Sequence, residues 1–408
     1  MYIYFMSLTI VLFDNAHWRR RLFPFASTRP VGNIRIGICT LNEKWERVFK
    51  CPVTYNTSPY LRGLFPFNYQ SSEEFLIIKA NILPSEPLIN ELRKLKLGEV
   101  LVDETSWIAI KSSQPEVDLN GLHYEFSPIR TSCTIQSLNF LEDIFLKNKP
   151  QLLFDYQLLT EGRKSSLLSE SNTVYGSWLF VEEGAQIEGA SLNSLEGPIY
   201  IAKDAIVEEG TYLKGYVSIG ERVRVKTGAR LYGNTSIGPG STICGEVNNT
   251  VVWGNSSKGH EGYLGCSVIG EGCNIGAGSS NSNLKNNWNT VKLFDYEDLS
   301  FRDTNELKCG LFMGDYAMCG INSSISTGSV IGVAAQVAIS NFIPKFVSDF
   351  SWLTDEKSDI YTFEKFIEML ERRRAITDTF MNENQASIFK HIFEDVKYLL
   401  EKKSNLNI

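Results

Sequence analysis

From Ile201 to Ile243 an aliphatic residue returns at every sixth position: Ile201, Val207, Leu213, Ile219, Val225, Leu231, Ile237 and Ile243. Four residues after each stands a small or β-branched side chain: Ala205, Thr211, Val217, Val223, Ala229, Thr235, Ser241 and Val247. A period of six is neither the 3.6 of an α-helix nor the 2 of a strand. It belongs to a solenoid in which three six-residue rungs complete one triangular turn, and such repeats bury their apolar faces only by stacking. The aliphatic residue is expected to fill the prism and the small one to fit the corner. Gly220, Gly228, Gly238 and Gly240 are expected at corners that call for positive φ, which glycine accepts without a Cβ clash. The cadence starts at Val181 and Ile187, slips at 197–201, and resumes with Tyr263, Ile269 and Ile275 as inward residues. A polar loop interrupts it at 281–312, after which Met313, Cys319, Ile325, Ile331 and Val337 restore it. The pattern predicts a left-handed parallel β-helix over residues 175–345.

The flanking segments read differently. Residues 6–165 have the pattern of an α/β domain, with buried-strand runs at 9–14 and 73–83 and a helix over 87–96. Two short strands around an acidic turn are expected in 98–110, and a helix through 137–150. Residues 346–408 read as a C-terminal helical tail. Phe363, Phe366, Ile367 and Leu370 share one stripe of a first amphipathic helix, and Ile388, Ile392, Val396 and Leu399 one of a second. Such stripes pack on the solenoid or across a subunit boundary. Arg372, Arg373 and Arg374 read as a solvated face. The apolar stretch 1–14 lacks a basic leader and a cleavage site, so it reads as a first strand, with Met6 as an alternative start, and not as a signal peptide.

Forty-seven acidic against 40 basic residues give a net charge of −7. That excludes a general nucleic-acid surface, which needs a basic face, but leaves room for a small anionic substrate held by two or three cations. The eight cysteines form no CxxC pair, and the four histidines (His17, His123, His260, His391) add no zinc-like spacing. Free thiols in a reducing cytoplasm are the expectation. No apolar run is long enough to span a membrane.

The segment HEGYLGCSVIGEGCNIGAG, residues 260–278, resembles the acetyl-transfer segment of the bacterial bifunctional enzyme that makes UDP-N-acetylglucosamine. The spacing is ungapped from His260 to Asn283. The resemblance implies that His260 is the general base, that Tyr263 and Asn274 contact the sugar phosphate, and that Asn283 lies at the acetyl-transfer centre. It further implies acetyl-CoA as donor, an amino-sugar phosphate such as glucosamine-1-phosphate as acceptor, and a homotrimer. Lys226 takes the place of the family's phosphate-binding arginine, keeping the charge but losing the bidentate fork. Asn248 stands where the family has a lysine, and Lys258 and Arg230 are nearby substitutes. The residue types suit the chemistry, since a neutral imidazole is well poised near pH 7 to take a proton from an attacking amine. Alone, each of these residues would read as a corner, core or loop residue of the solenoid.

RLFPFASTRP, residues 21–30, resembles the RLxP segment of sugar-1-phosphate nucleotidyltransferases, with Arg29-Pro30 near that family's Lys-Pro pair. The preceding LFDNAHWRR contains no glycine, although the family cradles nucleotide phosphates on a glycine-rich loop. Over nearly the whole chain the pattern is similar to a group of GlmU-like proteins of the Bacteroidota, with TRPVGNIRIGI, KGHEGYLG and SNLKNN among its marks. For Asp14, Arg21, Arg29 and Arg35 two readings stay open: phosphate or metal handling with an NTP and Mg2+, or a structural salt-bridge set. Three functions follow from all this. The first is an acyltransferase fused to a nucleotidyltransferase-like domain, the second acyl transfer with a non-catalytic nucleotide- or sugar-binding N-domain, and the third a non-catalytic trimeric scaffold. Carbonic anhydrases built on such a solenoid need three histidine ligands, and this solenoid offers His260 alone.

Overall fold

A computed structural model describes residues 8–69, 74–119, 125–377 and 381–405. Met6 and His123 lie outside them.

The N-terminal domain is built on a six-stranded sheet in the order β2-β1-β3-β5-β4-β6. The strands are β1 Leu8–Phe13, β2 Val53–Asn56, β3 Glu74–Lys79, β4 Glu99–Val102, β5 Trp107–Ser112 and β6 Ser127–Arg130. β2 and β3 flank β1 in parallel, whereas β5 runs antiparallel to both β3 and β4. Ile10, Val11 and Leu12 are all fully buried because both faces of the sheet are covered. On one face lie α1 Leu41–Phe49, α2 Glu86–Lys94 and α3 Asn148–Thr160. Helix α1 starts on a capping box, with the Thr40 N–H donating to Glu43 at 2.7 Å, and stops where Lys50 turns left-handed at φ 53°. The helix expected over 137–150 is displaced. Asp143 accepts from the Asn139 and Phe140 N–H groups at 2.7 and 3.0 Å, capping one short turn, and the long helix begins only at Asn148.

The solenoid is three-faced and parallel, a left-handed β-helix. Face one includes Ser191–Asn193 and Tyr212–Lys214, face two Ile199–Ile201 and Val217–Ile219, and face three Ile206–Val207 and Arg224–Val225. The six-residue positions stack inward as predicted: Ile201, Ile219 and Ile237 form one ladder and Val207, Val225 and Ile243 another. The slip at 197–201 is one long corner, after which Ile199 re-enters register opposite Val217.

After Ile243 two expectations change. Val247 is not a corner residue but the inward partner of Leu231, because the corner before it is shortened. Leu264, not Tyr263, continues that ladder, and Tyr263 stands half-buried beside it. Gly228 and Gly240 have the expected positive φ of 75° and 67°. Gly220 and Gly238 do not; they are required by space, since a Cβ on Gly238 would fall 1.5 Å from the Trp253 carbonyl oxygen.

The 281–312 excursion is less polar in structure than in sequence. It folds into a hairpin, Lys292–Asp295 against Ser300–Asp303, and buries Val291, Leu293, Tyr296 and Cys309 in the same core as the N-terminal domain. Arg302 fixes it, its Nη2 donating to both carboxylate oxygens of Glu142 at 2.7 and 2.8 Å. The parallel ladders also run past residue 345, through Phe346–Val347 and Ser351–Thr354, before Ser358–Ile360 pairs antiparallel and ends them. Helices α4 Phe363–Thr377 and α5 Glu383–Asn405 follow. Phe366, Ile388 and Ile392 pack with Leu61 of the N-terminal domain and Val333, Ala334 and Phe350 of the solenoid. Arg373 leaves the solvated face expected for it and donates to the carbonyls of Asn255 and Gly272, while exposed Arg372 pairs with Glu368 at 2.9 Å.

Candidate functional site

His260 sits exposed on a corner between faces three and one, the corner that closes Gly259–Gly262. Four contacts hold this segment, three of them from other rungs. Lys226 donates to the Gly259 carbonyl at 2.9 Å, and Lys258 donates to the carbonyl of His260 itself. Arg230 pairs with Glu261 at 3.3 Å, and the Tyr263 N–H donates to Ser280 Oγ at 3.0 Å. Asn283, whose amide donates to the Tyr263 hydroxyl at 2.9 Å, brings the polar loop's first turn onto the same site. Burial pushes the Tyr263 phenol up, so it keeps its proton near neutral pH and can donate it to a ligand while accepting from Asn283. Asn274 is exposed on face three, paired in register with Ser257, three residues before His260.

Thus Tyr263 and Asn283 bond each other three residues along the chain from His260, with Asn274 one strand away, while both lysines are engaged on backbone carbonyls of the same corner. Lys226 is spent on a backbone carbonyl. Lys258 is not a surface cation at all, being 3% exposed at an inward ladder position opposite Ile243. Sequence reading missed Asn281, 4% exposed, which accepts from the Gly265 N–H at 2.8 Å and donates to the Gly265 carbonyl at 3.0 Å. The signal was available: counted on six-residue spacing from Ile275, position 281 should be aliphatic.

The N-terminal candidates divide. Asp14 is fully buried, accepts from the Val31 N–H at 2.6 Å and lies 3.5 Å from Arg19; burial pushes its carboxyl up despite that guanidinium. Arg19 is itself spent on Ser58 at 2.9 Å and Tyr60 at 3.0 Å. Arg29 points at the solenoid, bonding Asp315 and Glu271 (3.1 Å) and lying 4.7 Å over the Trp253 ring. These two fit the structural reading. Arg21 is exposed above Phe140, and Arg35 donates to the Ile38 carbonyl while lining a cavity of about 310 Å³ at the domain seam. Asp14 in this arrangement does not fit a magnesium ion: the carboxylate is fully enclosed, Oδ2 is taken by the Val31 N–H and faces Arg19, and Oδ1, without a hydrogen-bond partner, has no open side from which a hydrated ion could reach it. A separate cavity of about 330 Å³ opens beyond the carboxyl ends of β1 and β2, lined by Asn15, His17, Arg20, Ser58, Tyr60 and His391. There His391 of α5 stacks on Tyr60 at 4.2 Å.

The eight cysteines are unpaired, and burial pushes Cys39 and Cys319 up to about 12, so these two are inert thiols. Among the described residues no helix is long and apolar enough to cross a membrane.

Comparison with known proteins now bears on this geometry. Residues 10–164 match the sugar nucleotidyl transferase family. A bifunctional sugar-1-phosphate nucleotidylyltransferase/acetyltransferase of Sulfurisphaera tokodaii is 29% identical over 151 residues, 35% of this chain and 36% of that one. The bifunctional protein GlmU of Carboxydothermus hydrogenoformans is 25% identical over 277 residues, 65% of this chain and 58% of that one. The chain is thus similar to these bifunctional proteins over part of its length. The chain spans 36% of the length of the Sulfurisphaera relative and the same share of a Wigglesworthia glossinidia brevipalpis GlmU. The solved UDP-N-acetylglucosamine acyltransferase of Francisella novicida is 18% identical with a TM-score of 0.22, over 55% of this chain and 87% of that structure.

Proposed function

We propose that the protein is an acetyl-CoA-dependent N-acyltransferase acting on an amino-sugar phosphate of the glucosamine-1-phosphate kind, fused to a sugar-1-phosphate nucleotidyltransferase-like domain. It works in the cytoplasm, as a homotrimer, toward nucleotide-sugar precursors of the cell envelope. The observation that carries this reading is an exposed histidine on a corner fixed at several points, beside a tyrosine and an asparagine bonded at 2.9 Å. His260 takes a proton from the sugar amine as its nitrogen attacks the thioester carbonyl. The tetrahedral oxyanion collapses, the C–S bond breaks, and CoA leaves as a thiol once it receives that proton. Tyr263 and Asn274 bind the acceptor, and Asn283 holds the Tyr263 hydroxyl toward it.

The test is free-thiol release from acetyl-CoA with glucosamine-1-phosphate and a panel of other amino-sugar phosphates. Wild type should release thiol, and no release across the panel would sink acyl transfer. A second reading, acyl transfer without nucleotidyl transfer, is favoured by the enclosure of Asp14 and the use of Arg29 between domains. Pyrophosphate release from UTP or dTTP with magnesium and a sugar-1-phosphate decides between the two.

A further inference from the structure

The inward six-residue positions of the solenoid are filled by one apolar stack. Two described positions break it: Lys258, between Ile243 and Ile275 on face three, and Asn281, in register with Ile325. Both are buried, at 3% and 4% exposure. An ammonium inside an apolar prism is costly, so a sequence selected for stability alone would place an aliphatic residue there. Both side chains bond the same seven-residue segment, 259–265, and Asn281 in addition donates to the Ser282 carbonyl at 3.2 Å. The Lys258 ammonium donates to the His260 carbonyl, and the Asn281 amide binds the Gly265 peptide through both its N–H and its C=O. From outside, Lys226 and Arg230 hold Gly259 and Glu261. The two polar exceptions in the apolar stack therefore converge on the segment that carries His260 and Tyr263.

We propose that Lys258 and Asn281 are positioning residues that brace segment 259–265 from within the prism, fixing where His260 and Tyr263 point. They touch backbone and not substrate, and Lys258, bonded to the His260 carbonyl, sets the geometry of the base. Lys258 is removed from the phosphate-binding role that its charge suggests. Burial also lowers the Lys258 pKa, and the neighbours that raise it again are Cys244 and Glu261. The catalytic consequence rests on His260 being the base; the brace itself does not.

Two measurements on the full chain separate these. The first is amide hydrogen exchange of residues 259–265 in wild type, Lys258→Met and Asn281→Leu. Exchange should accelerate roughly tenfold there in each variant, with the rest of the solenoid unchanged. Unchanged exchange overturns the brace whatever the enzyme does. The second is acetyl transfer with glucosamine-1-phosphate. Misplacement of a reacting group costs turnover, so kcat should fall roughly 10–100-fold in Lys258→Met while KM for both substrates stays within about twofold. The melting temperature should hold or rise, because methionine is apolar and of similar length. A rise in KM for the sugar phosphate at unchanged kcat would return Lys258 to substrate binding, and a fall in melting temperature at unchanged kcat would make it a plain structural residue. If wild type is inactive, or His260→Ala is fully active, the proposed function fails while the exchange result still decides the brace.

Discussion

Arg29 binds two carboxylates and an indole face at once. Asp315 is 1% exposed at the side chain, so removing the guanidinium strands a buried charge. Arg29→Ala should destabilise the protein by about 3–5 kcal/mol in chemical unfolding, and Arg29→Lys, which keeps charge but loses the fork, by less. A variant with full stability and lost nucleotide binding would instead support the phosphate role. Asp349 is a second residue with a readable consequence. Burial pushes its carboxyl up to about 6 from the ordinary 3.8, opposed by the Val333 N–H and the Tyr296 hydroxyl and assisted by Asp395 of α5. Between those two values the folded state holds a proton that the unfolded state releases. This group's contribution to stability is therefore full below about 3.8, declines as pH rises to about 6, and is flat above. Melting temperatures of wild type and Asp349→Asn across that range should diverge as pH rises. Parallel curves would contradict the assignment.

At the scale of elements, the corners show what a repeat pattern encodes and what it omits. Gly228 and Gly238 look alike in sequence, but Gly228 has a positive φ and open space, whereas Gly238 has backbone 1.5 Å from where a Cβ would sit. Gly228→Ala should cost about 1–2 kcal/mol, the ordinary penalty for a left-handed residue. Gly238→Ala should cost clearly more, because the obstacle is the Trp253 carbonyl and two rungs must separate. Equal melting temperatures for the two variants would refute that distinction. The solenoid between Ile201 and Ile243 was legible because each aliphatic residue has one neighbour above and one below, and spacing alone fixes both. Past Ile243 the spacing shrinks at the Val247 corner, so fixed counting put Tyr263 in the core when Leu264 fills it. The same shortening hid Lys258 as an inward residue, and it was read as a surface cation. Helix α3 was misplaced for a local reason, since Asp143 caps a separate turn just before it.

The whole molecule is organised by face two of the solenoid. Its outward ladder reads Ser218, Ser236, Val251, Val268, Phe312 and Val330, turning apolar where the N-terminal domain lies on it. Phe25 against Trp253 at 4.9 Å and Phe145 against Phe312 at 6.2 Å are part of that contact. Sequence periodicity described each domain separately and said nothing of this docking, because a contact between distant segments leaves no period. The candidate residues His260, Tyr263, Asn274 and Asn283 could be picked out through a motif with fixed spacing. The fates of Asp14 and Arg29 were not, since their partners lie on other elements. With the N-terminal domain held on face two by this apolar contact and by Arg29, the exposed His260 corner lies between the other two faces. The central claim is that this corner transfers an acyl group. The most direct measurement is the rate of CoA thiol release from acetyl-CoA and an amino-sugar phosphate, wild type beside His260→Ala. Wild type should release thiol, and the variant should be slower by about 10²–10⁴-fold at unchanged melting temperature. Equal release by both proteins would contradict it.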